Sequence, residues 1–426
     1  MARLRLSNRN YIFSRLQSVA ALLLSFGVMC LGHGLLNTVI GIRATAEGYS
    51  DLTVSLMGSA YFLGFVLCSH FCEGLLNRVG HIRTFAIFAT MASGLSLLLA
   101  LYVNPVMWII TRFFYGAALA SLYMVMESWL NLITKNEERG QILSFYMITN
   151  YVSIALSQML IYVAEPSSFT LFAVASIFLS FSLIPVSASR SPQPSVIKSE
   201  NFSLKRLFKT SQLAVAGVFC TGAISGSFWG IGAFYLSSIG LSKAAVASFF
   251  AVMYIGSLIM QWPLGFMSDK LGRRKMIVGL SIASAIVSFV LYITPYGEDT
   301  AVYATYMACA FLFGGVNNTL HSLFLALAND FLKPEQVVKA SGGLISVHGA
   351  GAIFGPIAAT AVIYFAGRQG LMLFCAMVAM TLVLIATYRV FTGRKIPKAT
   401  RDVFVPMFRA GRGITKLDPR QDEPTE

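Results

Sequence analysis

The sequence predicts an all-α integral membrane protein with twelve transmembrane helices in two pseudo-symmetric six-helix bundles. Three observations carry that prediction. The chain is 56% hydrophobic and only 12% charged, with a mean hydropathy of +0.70, whereas a soluble domain is about 25% charged. Its apolar runs are continuous rather than alternating, which selects helices over a barrel as the way to satisfy the backbone in lipid. The runs also fall into two groups of six, and the groups resemble each other. At an offset of 198 residues, RFFYG (112–116) meets AFLFG (310–314), Tyr123 meets His321, Asn131 meets Asn329, Lys135 meets Lys333 and Glu137 meets Glu335. Such repeats place a binding site between the halves, near the bilayer midplane.

In chain order, the expected spans are 18–42, 53–76, 83–103, 105–131, 140–163 and 168–187, then 212–236, 244–266, 275–294, 302–328, 338–366 and 369–391. The domain reading follows: an N-terminal bundle (1–187), a linker (188–211), a C-terminal bundle (212–391) and a tail (392–426). The first span follows a basic segment, as a secretion signal would. The run Ser18–Ile42 is too long for one and shows no small-residue cleavage site, so it reads as an uncleaved span. The linker is rich in Ser, Pro and basic residues. Its end sets Leu204, Leu207 and Phe208 beside Lys205, Arg206 and Lys209, a pattern for a short amphipathic helix on anionic lipid. Gly-rich GAGAIFGP (349–356) in span eleven reads as close packing and a bend at Pro356.

The net charge of +14 raises the question of nucleic acid, and its distribution answers it. With a cytoplasmic N-terminus, 28 of the 32 Lys and Arg fall in cytoplasmic segments; Arg43, Lys243 and Arg368 fall outside and Arg112 lies within the membrane. That is the positive-inside pattern. It sets both termini in the cytoplasm of a multi-pass protein of the bacterial inner membrane, with no nucleic-acid partner. The six cysteines all sit in apolar spans and read as small buried hydrophobes, with no metal site expected. There is no GxxxxGK[ST] run and no nucleophile–base constellation. The chain is therefore expected to be neither nucleotide-driven nor an enzyme, to hold no cofactor, and to work as a monomer.

Span four departs from its apolar setting. It reads PVMWIITRFFYGAALASLYMVMESWLN (105–131) and carries Arg112 and Glu127. A charge at mid-membrane depth costs roughly 2.5–3.5 kcal/mol even on insertion-based scales. At 3.6 residues per turn, Gly116, Leu119, Tyr123 and Glu127 fall within about 60° of Arg112. That stripe is expected to line a polar pathway. In the second half the positions of Arg112 and Glu127 are Ala310 and Leu325, so duplication of a scaffold does not account for the charges. Arg112 and Glu127 lie about 22 Å apart along one helix, so each needs its own partner.

Residues 265–275, GFMSDKLGRRK, lie between spans eight and nine. Gly265 permits close helix approach, Asp269 suits the positive N-terminus of a neighbouring helix, Gly272 makes the turn, and Arg273 anchors the loop with its basic neighbours. This run resembles the cytoplasmic loop signature of the major facilitator superfamily. The loop between spans two and three, EGLLNRVGHIR (73–83), keeps Arg78 and Gly80 but has Asn77 in the aspartate position and Glu73 in the first glycine position. The resemblance implies a gating latch, here expected as Asp269 against the start of span five with Arg139 as the cation. RFFYG resembles the superfamily's arginine-containing fourth-helix motif, associated with proton coupling. MESWLN (126–131) followed by ERGQILSFYM (138–147) is similar to the YcaD-like bacterial subgroup. The Gly-Pro-rich fifth-helix run of drug antiporters is absent: the span reads SFYMITNYVSIALSQMLIYV.

The resemblance implies that spans one, four, seven and ten line a central cavity. Their polar and aromatic residues are then the candidate substrate contacts: His33 and Asn37 in span one, Arg112 and Tyr123 in span four, Trp229 in span seven, Asn317 and His321 in span ten. Intramembrane Asn and His face protein or water, not lipid. A neutral hydrogen-bonding cavity with one arginine suits a small polar or weakly anionic organic solute. Glu127 with Arg112, and His348 of span eleven, are the candidates for proton coupling. The expected function is secondary active transport by alternating access, driven by the proton gradient. The alternatives are an efflux pump for amphiphilic or siderophore-like compounds, and, from another class, a non-transporting scaffold or sensor.

Overall fold

The computed structural model describes residues 2–134, 138–188, 211–297, 299–331 and 334–392; the interior of the linker and the tail beyond 392 lie outside the described residues, as do the side chains of 2–18, 69–70 and 334–341. The helices are α1 (Ala2–Ala46), α2 (Asp51–Val79), α3 (His81–Leu101), α4 (Pro105–Ile133), α5 (Arg139–Ser157), α6 (Phe169–Phe181), α7 (Gln212–Ser238), α8 (Lys243–Leu271), α9 (Arg273–Ile293), α10 (Thr300–Asn329), α11 (Pro334–Ala366) and α12 (Gly370–Thr392). A 3₁₀ turn, Gln158–Val163, carries α5 to its end, and Leu183–Ala188 continues α6 past a break at Ser182. The described residues thus hold twelve membrane-length apolar helices or helix pairs, within a few residues of the predicted spans. The largest difference is at α1, whose helix begins at Ala2, well before the predicted start at 18.

Local chemistry sets the ends. Ser50, Ser211 and Ser242 cap α2, α7 and α8 by accepting from Thr53, Ala214 and Ala245 backbone N–H groups. Asn104 caps α4 ahead of Pro105 at the first helical position. Gly80 (φ 84°) and Gly272 (φ 95°) make the two signature turns in a conformation that L side chains rarely adopt.

The internal repeat is visible in how the backbones touch. Gly64 and Gly116 bring α2 and α4 so close that a Cβ on either would overlap the carbonyl of Phe113 or Tyr61. In the second half Gly256 and Gly314 do the same for α8 and α10, against the carbonyls of Phe311 and Met253. Between the halves, α1 packs on α7, α2 on α7 and α11, and α5 on α8. The outer wall exposes Leu, Ile and Phe. Aromatic side chains gather at both rims: Tyr102, Tyr162, Tyr296 and Tyr364 at one, Trp262, Phe266, Tyr388 and Phe391 at the other. That is the pattern of a lipid-facing surface bounded by two interfaces. The second rim also carries the 79–81 and 271–273 turns with Arg78, Arg273 and Arg274, and is called the basic end below.

Candidate functional site

A cavity of about 1100 Å³, counting its mouth, lies between the halves. α1 contributes His33 and Asn37, α2 Tyr61 and Phe65, α4 Tyr123, α5 Tyr151, α7 Ser225 and Trp229, α8 Tyr254, α10 Asn318, and α11 Ser346 and His348. The wall is mostly aromatic, with amides and imidazoles set into it. Trp229 packs on Tyr254 with ring centroids 5.0 Å apart. The lining runs from Asn37 and Tyr61 toward the basic end, as far as Val66 and Ile345.

The far end of the cavity is closed by contacts that cross between the halves. Asn37 Nδ2 donates to the Trp229 carbonyl at 3.2 Å, and Thr45 Oγ1 donates to the Phe234 carbonyl at 3.3 Å. Ser59 Oγ donates to the Ile353 carbonyl at 2.7 Å, and Ser55 meets Thr360. A Cβ on Gly58 would lie 2.8 Å from the Cα of Gly230. Lys243 pairs with Glu165 at 2.5 Å at the surface, where an exposed pair contributes little. Nearer the middle, Tyr151 donates to Gln261 Oε1 at 3.2 Å, and Gln261 Nε2 donates to Ser322.

Arg112 sits just behind this closure. It is 3% exposed, donates from Nη2 to Asn37 Oδ1 at 3.2 Å, and lies 4.4 Å from the centre of the Tyr61 ring and 5.8 Å from that of Tyr115. Its Nη1 has no hydrogen-bond partner among the described residues. His33 completes the cluster, with Nδ1 3.3 Å from the Tyr115 hydroxyl. The expectation that Arg112 itself lines the pathway is corrected here: Asn37 and Tyr61 stand between it and the cavity. The guanidinium is instead held over the Tyr61 ring and bonded to Asn37.

The other expected residues divide. His33, Asn37, Tyr123, Trp229 and His348 line the cavity. Asn317 does not. It accepts from Ser284 and donates to the Phe313 carbonyl, beside a smaller pocket of about 250 Å³ shared with Trp229 and Asn318. His321 lies one layer behind the wall, 2% exposed, with its ring centre 4.4 Å from that of His348. Glu127 is fully buried in the N-terminal half and accepts from the Tyr146 hydroxyl at 3.2 Å, away from the cavity wall. The stripe on α4 therefore serves three environments in turn, because neighbouring helices cover it at different depths.

At the basic end Arg273 holds the loop to the C-terminal half. Arg273 is 3% exposed at its side chain and lies 3.8 Å from Asp269 and 3.1 Å from Asp330 at the end of α10. Those two ion pairs lie within the C-terminal half. Gly265 is buried against its neighbours, Arg139 is half-buried, and Asn77 and Arg78 are exposed. Sequence reasoning missed Asp330, whose only signal was an acidic residue at a span end. It also missed Tyr61, Phe65, Tyr151 and Tyr254, because spans two, five and eight reach the cavity as well.

Comparison with known proteins gives this arrangement a family. The Major Facilitator Superfamily sequence profile matches residues 22–235 and again 213–416. The chain belongs to the major facilitator superfamily. It is a multi-pass membrane protein and a secondary transporter, not an enzyme. The MFS-type transporter YcaD of Escherichia coli K12 is 24% identical over 346 residues, covering 80% of this chain and 87% of that one. Among solved structures, the nucleoside transporter NupG superposes with a TM-score of 0.72 at 14% identity, covering 89% of this chain and 100% of that one. A bacterial homologue of the human lysosomal transporter Spinster, in an inward-facing and unoccupied conformation, gives 0.70 at 13% identity, covering 91% and 98%. At these identities the superfamily structures show the shared fold.

Proposed function

We propose that this transporter moves a small polar or weakly anionic organic solute across the bacterial inner membrane by alternating access, coupled to protons. The observation that carries the reading is the cavity at the interface of the halves. It is sealed at one end by cross-half hydrogen bonds and backed there by a buried guanidinium without a carboxylate partner among its described contacts. A buried, incompletely bonded arginine draws an acceptor-rich or anionic group toward Asn37. The aromatic wall provides faces for the remainder of such a solute. The positive-inside distribution supports a cytoplasmic basic end and cytoplasmic termini; on that orientation the cavity reaches inward and the closed end faces outward. NupG carries nucleosides by its name and the human MFSD10 organic anions; both solute classes fit a cavity of amides and aromatics backed by one arginine.

A thermal-stabilisation screen of the purified protein against nucleosides, organic acids and amphiphilic compounds identifies candidates. Flux of each hit is then measured in liposomes. The expected result is saturable flux of at least one stabilising solute; stabilising solutes that never cross with the protein present would leave a binding protein, not a carrier.

A further inference from the structure

Resting on the reading above, we infer that His321 and His348 together form the proton-binding site of the transport cycle, with the pair holding one proton at a time.

The two imidazoles come from adjacent helices, α10 and α11, with ring centres 4.4 Å apart and planes at 58°. His348 lines the cavity; His321 stands directly behind it, 2% exposed. The pair therefore has one member in reach of cavity water and one in the protein interior, as a site that takes up and holds a proton requires. Thr221 of α7 fixes the inner ring. Its hydroxyl donates to the Val218 carbonyl at 3.1 Å and lies 3.4 Å from His321 Nδ1. Proton uptake forms one N–H bond on an imidazole, release breaks it, and no electrons are transferred.

Two positive imidazoles at this separation repel strongly in a water-poor wall, so the second proton is excluded while the first is held. The described membrane residues of α7, α10 and α11 carry no Asp, Glu, Lys or Arg. The titratable groups facing the pair across the cavity are His33 of α1, Tyr61 of α2, Tyr123 of α4, Tyr151 of α5 and Tyr254 of α8. Cys220 lies next to Thr221 on α7. Arg112 stands behind Tyr61 on the opposite wall, with His33 beside it. The cavity is thus polarised, with a permanent cation in one half and a switchable one in the other. Loading one anion with one proton leaves its net charge as it was when empty, so both the loaded and the empty carrier reorient with the same buried charge.

The packing links the site to movement. Gly222 of α7 is pressed against the His348 carbonyl, and Asn318, one turn from His321, donates to Ser257 of α8 and lines the same cavity. A change of charge on the pair is felt at once on the three helices α7, α10 and α11.

The test needs no identified solute. Proton uptake by the purified protein on acidification from about pH 8 to about pH 5, spanning the histidine range, is counted with an indicator dye. Wild-type is compared with His321→Gln, His348→Gln and the double variant, each checked for folding by thermal unfolding. The expected result is a loss of about one proton per chain in the double variant, not two. Nitrogen-15 histidine spectra of wild-type should show two coupled resonances that each single variant uncouples. An unchanged proton count, or two rings titrating independently with a loss of two protons, would overturn the assignment. Saturable flux by wild-type in liposomes is measured separately, so a failed proton count with intact flux sinks the histidine pair alone and leaves the transport reading standing.

Discussion

Asn37 makes two hydrogen bonds with different consequences. The bond from Arg112 lies within the N-terminal half and persists when the halves rock. The bond to the Trp229 carbonyl crosses between halves and breaks when the far end opens. Asn37→Ala removes both. A hydrogen bond to a charged group is worth about 1.5–3 kcal/mol; because the Arg112 Nη1 already lacks a partner, that loss falls on stability. The cross-half bond is worth about 1 kcal/mol, which shifts the conformational equilibrium about fivefold toward opening of the far end. Asn37→Asp separates the two effects. Its carboxylate pairs with Arg112 and keeps the stability, yet it has no donor for the Trp229 carbonyl and repels it. The assay is the rate of disulfide formation between Ser55→Cys and Thr360→Cys, which replace a cross-half contact at that end, alongside thermal unfolding. Asn37→Asp should unfold at a higher temperature than Asn37→Ala and cross-link more slowly than the parent. If Asn37→Ala lowers stability while both variants cross-link at the parent rate, Asn37 does not hold the far end shut and the reasoning is wrong.

The remaining expectations concern the closure, the latch and the coupling site. Gly58→Val puts a branched side chain where even a Cβ would lie 2.8 Å from Gly230, so it should fold yet slow the same cross-link; an unchanged rate would show that α2 and α7 part at no cost. Asp330→Ala removes the shorter of the two ion pairs of Arg273, which is 3% exposed at its side chain, and should destabilise the protein, as breaking a buried pair does. Asp269→Asn, at 3.8 Å and 28% side-chain exposure, should cost less in the same unfolding assay; the reverse order would reassign the anchor. Glu127→Gln keeps an acceptor for Tyr146 and should leave proton-driven accumulation in liposomes intact. Loss of accumulation in that variant would return the coupling role to Glu127.

Twelve spans, their order and the repeated halves were legible in the chain because lipid imposes one rule on every residue: apolar length decides a span, and basic loops mark one side. The glycines of RFFYG and AFLFG, read in the chain only as matching positions of the repeat, prove to be where two backbones meet, since only a missing side chain permits it. His33, Asn37, Tyr123, Trp229 and His348 could be nominated because polar or amphipathic residues in spans avoid lipid. What the chain could not show is depth and neighbour. Arg112, Tyr123 and Glu127 share one face of α4, yet one is screened by Asn37 and Tyr61, one meets the cavity, and one is sealed against Tyr146. That partition depends on which helix covers each turn, a matter of tertiary packing. The nearness of His321 to His348, from separate helices, was decided the same way: helical periodicity fixes which residues share a face of one helix, and only the docking of helices fixes which faces meet.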